Sequence, residues 1–211
     1  DTGGEMVRSM SRVMTSLVDE LEKAQPDLVL SGFDIGANLA VTIAAAHMNI
    51  PVAHIQGGEV TGSIDESIRH AMSKFAHLHF PATELSKQRL VRMGEDIDKI
   101  FVVGCPSIDI IHDTPEIDIE ILEEYFKLDF KKPILLMIQH PVTTEVDDSF
   151  RQIKETVDAI NEVGVQSVAL LPNNDAGHSK IIDYIKKSGI KWYPSLPTEI
   201  FINLYRNVNA L

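Results

Sequence analysis

The chain has 211 residues, 44% of them hydrophobic and 24% charged, which allows one large globular domain or two modest ones. Its formal net charge of −12 argues against non-specific nucleic-acid binding, because no Lys/Arg run offers a polyanion a basic patch. The lone Cys105 rules out an intrachain disulfide and suits a reducing cytosol, and no run of about 18 apolar residues marks a membrane span.

Met6 to Lys23 carries apolar residues at 6, 10, 13, 14, 17, 18 and 21, the spacing of an amphipathic helix. Pro26 follows, then a brief buried strand, Asp27 to Leu30, and a turn from Ser31 to Asp34. The alanine-rich Gly36 to Met48 is apolar nearly all round and predicts a buried helix. Strand Pro51 to Ile55 ends in Gly57-Gly58, which allows a sharp turn or a close approach to a ligand. Ser63 is placed to cap the next helix, which runs to about Ala76, with Glu66 three residues on completing a capping box. His77 to Pro81 predicts a strand, Glu84 to Met93 a helix closed by Gly94, and Ile100 to Val103 a strand running into Gly104-Cys-Pro106.

From Ile108 to Lys132 the pattern loosens, with a helix around 116–126, and reads as the connection to a second unit. The alternation then restarts. Strands are predicted over 134–138, 168–171 and 191–193, and helices over 147–163, 179–187 and 199–205. Strands alternating with helices at this spacing imply parallel sheets covered on both faces. The fold class is therefore α/β, as two Rossmann-like domains with a cleft between them. The predicted division is 1–112 and 113–211. Asp1-Thr-Gly-Gly leads straight into a helix without an opening strand, and Asn207 to Leu211 stops as an apolar run starts, so both ends read as cut. No signal peptide is visible at the start.

Ligands of α/β folds bind at the carboxyl ends of strands, where here Glu59, Asp65, Glu66, Arg69 and His70 crowd together. Asp34, just past a strand end, can converge with Asp65, and neighbouring carboxylates push their pKa values apart into an acid and a base. The plainer alternative has Asp34 capping a helix and Asp65 stabilising a helix start. Glu59 either projects near the strand terminus or is a solvated loop residue. Arg69 can pair with Asp65 four residues before it, or clamp an anion in the cleft. His140 and the run Pro172 to Gly177 end two strands of the second unit, as ligand contacts or as a surface histidine and an Asx turn. His77 and His79 share a strand face, but with no Cys or acidic partner at ligand spacing no metal site is expected. No Walker A, G-x-G-x-x-G or Gly-x-Ser-x-Gly sequence occurs, so no nucleotide cofactor is expected either.

These segments resemble the hydrolysing UDP-N-acetylglucosamine 2-epimerases. The resemblance lies in Ile50 to Ile55, Gly57-Gly-Glu59, Asp65, Ile68-Arg-His70, His77-Leu-His79, Ala82-Thr83, Gly94-Glu95, Gly104-Cys-Pro106, Gln139 to Thr144, and Pro172-Asn173 with Asp175-Ala-Gly177. It spans nearly the whole chain and implies a two-domain fold like the glycosyltransferase-B enzymes. Residues 1–112 would form the sugar side of the site and 113–211 the UDP side. The implied reaction is proton abstraction at C2, anti elimination of UDP and addition of water, releasing N-acetylmannosamine for sialic-acid synthesis. Matching positions imply Asp34 and Asp65 as acid/base groups, Arg69 as their support, and His140 and Asn173 as UDP contacts. The implied partners are a UDP-sugar and further copies in a homo-oligomer, with no nucleic acid and no membrane.

Three departures qualify the resemblance. Gln56 stands where many relatives have a catalytic Glu, so it is expected only to bind substrate, and Glu59 is the candidate to take over. Ile35 replaces an arginine expected near the sugar, which makes a modified sugar such as UDP-diacetylbacillosamine an alternative. The family's first strand with its arginine loop, and a later serine-rich loop that holds UDP, are missing, so the fragment alone is expected to be inactive.

Overall fold

A computed structural model describes residues 2–33 and 35–211. The chain divides into two compact units, one holding Gly4–Asp109 and the other Ile110–Leu211.

In the first unit, α1 (Gly3–Ala24), β1 (Val29–Gly32), α2 (Gly36–His47), β2 (Val52–Ile55), α3 (Ile64–Phe75), β3 (Leu78–Phe80) and α4 (Glu84–Arg92) follow in order. The strands form a parallel sheet ordered β1-β2-β3, in which Ser31 is paired with His54 and His54 with His79. Val52 and Ala53 are both fully buried, as the unbroken apolar run of a two-faced parallel strand requires. Alanines at 40, 44 and 45 bury the face of α2, with Leu21 of α1 and Val52 joining Ala44 and Ala45 in one cluster.

The predicted strand over 100–103 is not a regular one. Only Ile100 bridges to His79, although the Phe101 and Val103 amides donate to the His79 and Pro81 carbonyls. Just beyond it, Pro106–Asp113 is an unpredicted helix, α5, opened by a proline whose fixed φ suits a first turn.

The second unit contains α6 (Ile119–Phe126), β4 (Ile134–Ile138), α7 (Ser149–Val163), β5 (Gln166–Leu170), α8 (His178–Lys187), β6 (Lys191–Tyr193) and α9 (Thr198–Asn207). Its sheet is parallel and ordered β4-β5-β6. Successive strand residues face opposite sides, which builds two separate cores. Met137 and Ala169 join Ile153, Val157 and Ile160 of α7 and Ile181 and Ile185 of α8. Leu136 and Val168 join Leu122 and Phe126 of α6 and Leu204 of α9 on the other side. Ala210 extends the sheet by a bridge to Leu135.

Candidate active site

The acidic junction between β2 and α3 is built by a loop that leaves little freedom. Gln56 follows β2 with φ +60°, a strained value for a residue other than glycine, and its amide N–H donates to the Phe80 carbonyl. Its side-chain Nε2 donates to Cys105 Sγ at 3.1 Å. Gly57 and Gly58 are buried, and the close approach they allow is to this chain's own helices. A Cβ on Gly57 would lie 2.9 Å from both His54 Nδ1 and Ser73 Oγ, and one on Gly58 would lie 2.3 Å from the Ser86 carbonyl oxygen. Arg89 donates to the Gly58 carbonyl at 3.1 Å, fixing the loop to α4.

The start of α3 is capped, with a variation on the predicted box. Ser63 Oγ accepts from the Asp65 amide and donates to Asp65 Oδ2 at 2.9 Å. Glu66 reaches past Ser63 to accept the Thr61 and Gly62 amides, both at 2.9 Å. Those two amide donors hold the Glu66 carboxyl below its ordinary pKa.

Arg69 is only 6% exposed, and its Nη1 donates to the Glu59 carbonyl at 2.8 Å. Gln56, Glu59, Asp65 and Arg69 thus all belong to one loop-and-helix junction, with Glu59 and Asp65 half-buried. Asp34 lies outside the described residues.

His140 follows β4 and Asn173 follows β5, and because those strands are adjacent and parallel their tips meet. The Asn173 amide donates to His140 Nδ1 at 3.2 Å, so the neutral imidazole carries its proton on Nε2 as a donor. Asn173 Oδ1 accepts from the Asp175 amide, and its Nδ2 donates to Asp175 Oδ2 at 2.7 Å. The Asx turn read from sequence is therefore present, and it holds the Asn173 side chain while the backbone steadies His140. Gly177, at φ +97°, ends this loop where a Cβ would lie 2.5 Å from the Ser149 hydroxyl.

Spacing offered His79 no acidic partner, but the fold supplies one. His79 Nε2 lies 3.3 Å from Glu95 Oε2, and Lys74 Nζ donates to Glu95 Oε1 at 2.7 Å. Burial lowers the His79 pKa, and the Glu95 charge opposes that shift. His77 has a structural role, its Nδ1 accepting the Val52 amide at 3.1 Å. Sequence reasoning also missed the contact of Cys105 with Gln56 and that of Ser73 with His54. No local signal marks either pair, since each joins separate elements of the chain.

The UDP-N-acetylglucosamine 2-epimerase family profile matches residues 1–211. The chain belongs to this family. Among its relatives, a Legionella pneumophila protein named UDP-N,N'-diacetylbacillosamine 2-epimerase (hydrolyzing) is 37% identical over 210 residues, 98% of this chain and 56% of that protein. A Neisseria meningitidis UDP-N-acetylglucosamine 2-epimerase is 32% identical over 201 residues, 94% of this chain and 52% of its own. The chain thus spans about half the length of these curated relatives. Its fold is like that of the crystal structure of UDP-GlcNAc 2-epimerase from N. meningitidis bound to UDP-GlcNAc, with TM-score 0.78 at 23% identity, covering 94% of this chain and 57% of that one. Among the described residues, no helix is long and apolar enough to cross a membrane.

Proposed function

We propose that the full-length protein is a hydrolysing UDP-sugar 2-epimerase, acting on UDP-N-acetylglucosamine or a diacetylated analogue. The observation that carries this reading is the similarity to the Legionella hydrolysing enzyme along 98% of the chain. The cluster of Glu59, Asp65 and Arg69 at one strand end supports it.

In this mechanism a carboxylate at the β2–α3 junction takes the C2 proton of the sugar. The C1–O bond breaks with its electron pair leaving on UDP, and a 2-acetamidoglucal results. Water then adds across the double bond, its oxygen to C1 and a proton to C2 on the opposite face, giving N-acetylmannosamine or its diacetylated counterpart. Asp34 and Asp65 are the acid/base candidates, with Glu59 the substitute for the base that Gln56 cannot be, since an amide does not titrate. The C2 proton is weakly acidic, so the carboxylate must be held close and desolvated. Arg69 supports that wall, and Gln56 contributes a polar contact to the sugar. His140, through its Nε2–H, and Asn173 are the proposed contacts to UDP.

The test is turnover of UDP-N-acetylglucosamine and UDP-N,N'-diacetylbacillosamine by the full-length enzyme in D2O, followed by proton and phosphorus NMR. Free UDP and a free 2-epimeric sugar deuterated at C2 are expected. An intact UDP-sugar product would instead support a non-hydrolysing epimerase. No conversion of either substrate would leave a nucleotide-sugar binding module, which Gln56 favours. Asp65→Asn and Asp34→Asn are each expected to lower kcat about 100-fold or more.

A further inference from the structure

A row of buried polar side chains crosses the first sheet and takes no part in the proposed chemistry. Register pairing sets Ser31 beside His54 and His54 beside His79, and all three are buried. Thr42 of α2 donates to Ser31, Ser73 of α3 meets His54, and Glu95 meets His79. The middle member leads directly to the candidate site.

His54 is 1% exposed, and its Nδ1 lies 3.0 Å from Ser73 Oγ. Ser73 Oγ is also within 3.1 Å of the Arg69 carbonyl, placed to donate its hydroxyl proton there. With that proton so directed, its oxygen accepts from His54 in the tautomer protonated on Nδ1. The same two atoms form the surface against which Gly57 is seated, each 2.9 Å from where a Cβ would be. Arg69 closes the circuit by donating to the Glu59 carbonyl two residues after Gly57. One imidazole and one hydroxyl thus tie the floor of the loop to the backbone of the helix that carries Asp65 and Arg69.

We propose that His54 and Ser73 are positioning residues, holding the Gln56–Glu59 loop in register with the Asp65–Arg69 turn of α3. The catalytic consequence rests on the proposed function; the positioning does not. A hydrogen bond in the low-dielectric interior is electrostatically stronger than one in water, so the buried His54–Ser73 contact holds its two elements firmly. Displacement of a catalytic group by about 1 Å costs on the order of 100-fold in rate.

Three variants of the full-length enzyme test this: Ser73→Ala, His54→Asn and His54→Gln. The asparagine nitrogen stands where Nδ1 stood and the glutamine nitrogen does not. Ser73→Ala and His54→Gln are expected to lower kcat about 10- to 100-fold with KM within about threefold of wild type, while His54→Asn retains most of kcat. Two readouts do not depend on turnover. Nitrogen NMR is expected to show His54 protonated on Nδ1, and amide exchange at Gln56–Glu59 is expected to quicken about tenfold in Ser73→Ala but not in Ile110–Leu211. An active wild type with unchanged kcat in Ser73→Ala overturns the catalytic consequence. A His54 proton confined to Nε2, or unchanged loop exchange, overturns the positioning. A wild type inactive on every UDP-sugar sinks the proposed function alone, and the tautomer and exchange still decide the positioning.

Discussion

A methyl group added at Gly58 would sit 2.3 Å from the Ser86 carbonyl oxygen, and the residue already holds φ +83°. Gly62, four residues on, has φ +72° but open space around it. The pair separates the two reasons for a glycine. Gly62→Ala is expected to cost about 1 kcal/mol from backbone conformation alone. Gly58→Ala adds the displacement of a helix backbone and is expected to cost about 3 kcal/mol or more. Denaturant melts of the two variants check the difference, and similar midpoints would remove the packing account of the glycine pair. Gln56 needs the same left-handed region without being a glycine, and its side-chain amide is held by Cys105.

At the scale of elements, β3 and the loop after α4 are linked by buried His79 and half-buried Glu95, with Lys74 of α3 outside the pair. Burial holds the His79 pKa below its ordinary 6.5, with Glu95 opposing and Lys74 and His77 adding to the shift. The unfolded chain therefore binds this proton more readily than the folded one. The resulting stability is full above about pH 6.5 and falls as the pH drops from there towards the folded pKa. Denaturant midpoints at pH 7.5 and 5.5 are expected to differ, and the difference to shrink in His79→Gln. Glu66 contributes in a lower window. Its depressed pKa stabilises the start of α3 above its ordinary 4.5, and that contribution is lost as pH falls below it.

At the scale of the molecule, each unit has its own sheet and core. Ile153 is fully buried between α7 and the β4–β5 face of the second sheet. Ile153→Ala is expected to destabilise that unit by about 2–5 kcal/mol through lost burial and the cavity left behind. Amide exchange should quicken within Ile110–Leu211 while β1–β3 keep their protection. Uniform loss of protection in both units would show that they unfold as one.

The sequence by itself determined the α/β class, the family and the order of the elements apart from α5 and the segment Ile100–Val103. Those rest on local signals: the apolar run Ile134–Ile138, the helical spacing over Ser149–Val163, and Gly57-Gly58 before the acidic segment. Ser63 was legible as a cap because capping acts within one turn. Ile100–Val103 read as a strand because its side chains suit one, yet strand pairing depends on neighbours that spacing cannot supply. The tertiary structure alone decided which polar groups meet. Glu95 reaches His79, Cys105 reaches Gln56, and Ser73 reaches His54, each across a fold that brings distant segments into hydrogen-bond range. The glycine turn, open in sequence to a ligand, proved to be packed on α3 and α4. Periodicity reports which way a side chain faces, whereas a partner is chosen by packing, and the shape of the β2–α3 junction follows from those partners.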